Sequence, residues 1–134
     1  MTIEEALKEY LEKNGMLIPL HGGRVYVMRL PQTAILPAVT YQRITTEPMK
    51  THDMSGSSNL YRSIFQIDCW STSYSGVKVL LNEVVNQLNG FKGIMGSGGG
   101  IPVNAVLLDN LRGDYQPETA IYNQSADFVV WYKE

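Results

Sequence analysis

Between Leu60 and Trp70 the chain reads LYRSIFQIDCW, and its side chains alternate. Tyr61, Ser63, Phe65, Ile67 and Cys69 share one parity, while Arg62, Gln66 and Asp68 share the other. A period of two fits a half-buried β-strand and no helix. A second strand-like run, ILPAVTYQRI, lies just upstream, and TTEPMKTHDMSGSSN separates the two. Hairpin loops ordinarily take about two to five residues. This one, from about Thr45 to Asn59, is much longer, and Met49 and Met54 are its apolar residues. A polar loop held out by two patterned strands is expected to be mobile and to touch a partner. Lys50, Thr51, His52, Asp53, Met54, Ser55 and Gly56 are its candidate contact residues.

The chain has 134 residues, the length of one ordinary domain, and a single domain with its own core is expected. A formal net charge of −2 leaves no basic stripe to neutralise phosphates, which disfavours sequence-specific nucleic-acid binding. The single cysteine, Cys69, sits inside the strand pattern, so no disulfide framework or zinc cluster can form within the chain. The stretch MTIEEALKEYLEK is acidic and amphipathic, unlike a signal peptide, and no apolar run approaches membrane-spanning length. A cytoplasmic setting and no membrane contact are expected.

Thr2-Ile3-Glu4-Glu5 fits a capping box, and Ile3, Ala6, Leu7, Tyr10 and Leu11 then fall on one helical face. Asn14-Gly15 supplies the stop. RVYVMRL reads as a first strand, followed by the proline-bearing connector PQTAILP, expected to run extended along the sheet margin. AVTYQRIT and LYRSIFQIDCW are the second and third strands. Val77, Leu80, Leu81, Val84 and Leu88 then form a helical stripe, with Ser75 as N-cap and Asn89-Gly90 as exit. GIMGSGGG reads as a flexible connector, and strands follow around Val103–Leu111 and Ile121–Tyr132. The order α-β-β-β-α-β-β predicts an α+β fold: a mainly antiparallel five-stranded sheet with two helices on one face.

Two helices cover one face, yet both parities of some strands are apolar. Phe128 and Val130 alternate with Val129 and Trp131, and Leu60, Ile64 and Trp70 oppose the Phe65–Ile67 set. Either a partner covers the second face, with Trp70, Val129 and Trp131 in the contact, or strand ends and connectors fold back over it. Both outcomes fit the pattern. DNLRGDYQPETAIY reads as a broad hairpin tip whose Arg112, Asp114, Tyr115 and Glu118 are residue types of polar interface rims.

Chemistry is harder to place. The glycines of GIMGSGGG follow a helix and precede a strand, the reverse of a phosphate cradle. His21 and His52 are the only histidines, and with one cysteine they offer no metal site of usual spacing. His52-Asp53 as a base with its orienting carboxylate, or Cys69 as a nucleophile, would suit a small cytoplasmic enzyme, but no nucleophile–base spacing supports one. No catalysis, cofactor or metal is expected.

The ordered motifs carry a resemblance. RVYVMRLPQTAILPAVTYQRI, then THDMSGSSNLYRSIFQIDCWSTSYSGVKVLLNEVVNQLNGFKG, then LLDNLRGDYQPETAIYNQSADFVVWY, together resemble the tail-completion, or tail-terminator, proteins of long-tailed bacteriophages and prophages. The resemblance implies a small α+β sandwich forming a hexameric ring with copies of itself on the tail, in the host bacterial cytoplasm during assembly and at the tail or neck of the virion. It also implies the tail-tube protein on one side and a head connector or stopper protein on the other. A neck head-completion or connector-adaptor ring protein is the alternative.

Overall fold

The computed structural model describes residues 1–48, 60–117 and 120–134, apart from the side chains of residues 114 and 116. The chain opens as its capping box requires. Thr2 Oγ1 accepts the Glu5 N–H and the Glu5 carboxylate accepts the Thr2 N–H, both at 3.2 Å. Helix α1 (Ile3–Lys13) buries Ile3, Ala6, Leu7 and Leu11 on one stripe. A third, short helix that the sequence reading lacks, α2 (Ile18–His21), ends on Gly22 in the left-handed region, where a side chain would be strained.

The sheet has six strands rather than five, in the order β1-β2-β3-β6-β5-β4. They are β1 (Val25–Val27), β2 (Ala38–Pro48), β3 (Leu60–Ser71), β4 (Gly93–Met95), β5 (Ile101–Gln116) and β6 (Ile121–Lys133). The added strand is β4, which pairs with Ile101–Val103 inside the segment expected to be a flexible connector. Three residues are too few to show a period, but β5 offers them an edge. β1 is shorter than RVYVMRL and pairs parallel with β2, so the sheet is antiparallel elsewhere only. Thr45–Pro48, expected in the loop, continue β2, because their partners Ile64 to Tyr61 continue β3. The rest of the loop expectation, residues 49–59 with Lys50, Thr51, His52, Asp53, Met54, Ser55 and Gly56, lies outside the described residues. The expected broad tip at Asp109–Tyr122 is mostly strand, since β5 runs to Gln116 against β6.

Helix α3 (Tyr74–Leu88) starts two residues earlier than read, with Ser73 rather than Ser75 as its cap; Ser73 Oγ accepts the Gly76 N–H at 3.3 Å. Its stripe Val77, Leu80, Leu81, Val84 and Leu88 packs with the α1 stripe on the sheet face built from Tyr41, Phe65, Ile67, Phe128 and Val130. α1 is tied to the end of α3 by Tyr10 Oη donating to the Gln87 carbonyl at 2.6 Å. Both α1 and α3 therefore serve one face, as the sequence predicts.

His21 is fully buried. The Gly23 N–H donates to Nδ1 at 2.8 Å, so Nε2 carries the proton and donates to the Leu11 carbonyl at 2.8 Å. Loss of hydration holds its pKa below the ordinary 6.5. The unfolded chain therefore takes up this proton first, and stability is lost as pH falls below the ordinary histidine value. Melting temperature should drop from about pH 7 to about pH 5, and His21→Gln should flatten that slope. Equal slopes in the two proteins would show that His21 is not the titrating group.

Candidate functional site

Strand register assigns every side chain to the helix-covered face or to the open one. Phe65 stands opposite Phe128, and both join the core; their neighbours Ile64 and Val129 stand opposite each other on the far side. Three zones follow along this open face.

The middle is polar and internally satisfied. Asp68, 9% exposed, accepts from Ser125 Oγ and, at 3.1 Å, from Gln66 Nε2. Gln66 Oε1 in turn accepts from Gln42 Nε2 at 3.4 Å. Arg112 donates to Asp127 at 2.9 Å, so this candidate contact residue stands on the open face with its charge already paired. Buried polar groups that are paired in this way add no pull toward a ligand.

At one end Trp70 donates from Nε1 to Thr40 Oγ1 at 2.9 Å. The connector after β1, with its cis Leu36–Pro37 peptide, turns back over it rather than running extended along the margin. Trp70 lies in a groove of about 410 Å³ with Met28, Leu30, Pro31, Leu36 and Ile121. Here the chain covers its own second face.

The opposite end is open towards the β5–β4 edge, although Val129 is buried there and Trp131, like Trp70, is half-buried. Trp131 stands between Arg62 and Ala105, and Val129 between Ile64 and Leu107, while Ile94 and Pro102 continue the apolar surface to the sheet edge. Leu107 and Ile94 are 50% and 62% exposed. The Arg62 guanidinium sits 5.9 Å over the Trp131 ring and 3.7 Å from Glu47. This patch, apolar with an Arg and a Trp beside it, has the composition of an interface core. Trp70, Val129 and Trp131 are thus all on the second face, but they are not brought together.

The remaining candidates are scattered. Tyr115 stacks on Tyr122 at 4.6 Å between centroids and belongs to the helix-side parity. Asp114 pairs through its backbone with Asn123. Glu118 lies outside the described residues. Ile94 and Leu107 were not legible as contact residues, the first hidden among glycines and the second re-phased by a bulge between Val103 and Ala105. Burial pushes the Cys69 thiol far up, which removes the thiolate that a nucleophile needs. Among the described residues no three His, Cys, Asp or Glu side chains gather as metal ligands, and no helix is long and apolar enough to cross a membrane.

No family model matches the chain, and no curated protein matches it in sequence. Solved structures do. A chain from the virion of a native gene transfer agent particle superposes with a TM-score of 0.71, at 13% identity, over 98% of this chain and 95% of that one. The two share a fold. A second solved chain, which carries no functional name, gives a TM-score of 0.65 at 14% identity over 98% and 94%.

Covered and bare zones should respond differently to truncation. Phe128→Ala, in the core, should cost about 3–5 kcal/mol in denaturant unfolding. Leu107→Ser and Ile94→Ser should stay within about 1 kcal/mol of the parent. A cost at Leu107 matching that at Phe128 would mean the patch is covered in the free chain.

Proposed function

We propose that the chain is a structural protein of a phage-like particle and that it completes the tail. In this reading copies form a ring, of six if the resemblance holds, at the head-proximal end of the tail tube. The ring stops addition of tube protein and presents a surface to the head connector or stopper. The observation that carries the reading is the near end-to-end match to a virion chain, with almost nothing left over on either side. The exposed Leu107 and Ile94 on the open face and the ordered motif resemblance support it.

The physical logic is that of a scaffold. A helix-covered face holds the fold while the other face is free for contacts. A ring needs two different patches per copy, joined head to tail until the rotation closes. Weak contacts suffice, because several copies held on one tail end bind together far more tightly than one.

Deleting the gene from a producing strain should leave tails of irregular and excessive length in electron micrographs. Tails of normal length beside unjoined heads would instead indicate a neck adaptor and would overturn tail completion. Trp131→Glu should abolish assembly while the free chain still folds, with a lowered melting temperature because Trp131 is half-buried, since a large aromatic at a packed contact is worth roughly 2–4 kcal/mol per interface. A Trp131→Glu chain that still restores uniform tails would remove the Trp131 patch from the contact.

A further inference from the structure

The sheet ends in two half-covered edges at diagonally opposite corners. β1 pairs with β2 only at Val39–Tyr41, and β4 pairs with β5 only at Ile101–Val103. The exit of α3 covers β5 a little further, through Gly90 N–H to the Val106 carbonyl at 2.7 Å and Leu108 N–H to Asn89 Oδ1 at 2.9 Å. Among the described residues no strand pairs with the outer side of β2 from Arg43 to Pro48 or the outer side of β5 from Leu111 to Gln116. Leu111 N–H turns to Asn110 Oδ1 at 3.0 Å instead.

Backbone direction and register make these two edges complementary. Val39 and Tyr41 hydrogen-bond outward from β2, and Val106 and Leu108 outward from β5. The bulges, between Arg43 and Thr45 and between Leu108 and Asn110, re-phase each strand. Arg43 and Thr46 then point both backbone groups outward on one edge, where Pro48 offers its carbonyl alone, and Gly113 and Tyr115 do so on the other, where Leu111 has its N–H already bonded to Asn110. β2 and β5 run in opposite directions, because β2, β3, β6 and β5 are successive antiparallel neighbours. Two copies in the same orientation, side by side, therefore meet through antiparallel strands.

We infer that β2 of one copy pairs with β5 of a second copy, Thr46 opposite Gly113, in a sheet that continues from subunit to subunit. The inference rests on the ring reading and names the contact that builds the ring. In this register Glu47 stands opposite Arg112, both on the open face. Glu47 already meets Arg62 at 3.7 Å, and Arg112 meets Asp127 at 2.9 Å. Pairing lines up Arg62, Glu47, Arg112 and Asp127 as one row of alternating charge across the interface. Tyr115 comes opposite Arg43, beside a concavity of about 200 Å³ lined by Val27, Met28, Tyr41, Gln42, Arg43 and Glu4. Met28 is held there at φ 64°, strained for a residue with a side chain, and is 69% exposed. Because the open halves lie at opposite ends of their strands, each step shifts the next copy along the strand direction, as the stagger of a closed barrel requires.

Single-cysteine additions test the contact. Thr45 and Asp114 fall opposite each other in the same register, and the native Cys69 is fully buried. Thr45→Cys and Asp114→Cys chains, mixed at several hundred micromolar and oxidised gently, should give a disulfide dimer that neither gives alone. A chain bearing both should give a covalent ladder. Arg112→Glu should weaken self-association in sedimentation by about tenfold or more, the effect of a unit of about 1.4 kcal/mol. Dimers of Thr45→Cys with itself, or no mixed dimer at all, overturn the edge contact. Failure of the cross-link in a chain that still terminates tails defeats this contact and leaves tail completion standing. A cross-linked ladder from a chain absent from any particle does the reverse.

Discussion

Everything else in the fold depends on the pairing of β3 with β6. The two strands match without a bulge from Leu60 opposite Lys133 to Ser71 opposite Tyr122. Phe65 and Phe128 face each other in the core, Tyr61 stacks on Tyr132 at 5.8 Å, and Ser63 Oγ bonds Tyr132 Oη at 2.8 Å. A slip of one residue would exchange the faces and put Arg62, Gln66 and Asp68 beneath the helices. The register is thus fixed by burial, and the division of the sheet into two faces follows from it.

That division has a cost the chain meets unevenly. One face receives both amphipathic helices. On the other, polar side chains bond one another in the middle, the returning connector lies against Trp70, and Leu107 and Ile94 at the Trp131 end are left exposed. Long apolar surfaces beside open strand edges invite promiscuous association. Here the bulge at Ile44, Pro48 at the end of β2, and the charges of Arg62, Glu47 and Arg112 restrict which strand can pair. The same features give a self-contact one direction and one register.

Much of this was legible because burial writes itself as a period. α1, α3, β3 and β6 each carry an unbroken stripe, so their existence, order and covered face could be read directly. β4 could not, because Gly93-Ile94-Met95 is too short to show a period and exists only where β5 provides an edge. The far half of β5 has the sequence of a loop, because Arg112-Gly113-Asp114 looks like a turn; pairing with β6 overrides that local preference. The site was half legible. Alternation exposes Val129 and Trp131 as second-face residues, but bulges hide Leu107, and no sequence pattern marks where a connector turns back over a strand.

The proposed role asks for a chain that folds alone and leaves surface for partners, and the helix-covered face and the exposed Leu107 and Ile94 of the other are compatible with it. The most direct test is an electron cryomicroscopy map of particles from a strain that produces the protein. The account predicts this six-stranded fold in a closed ring at the tail end, with β2 of each subunit beside β5 of the next and Trp131 buried at a contact. A map showing isolated subunits, or a ring with Trp131, Leu107 and Ile94 all facing solvent, would contradict it.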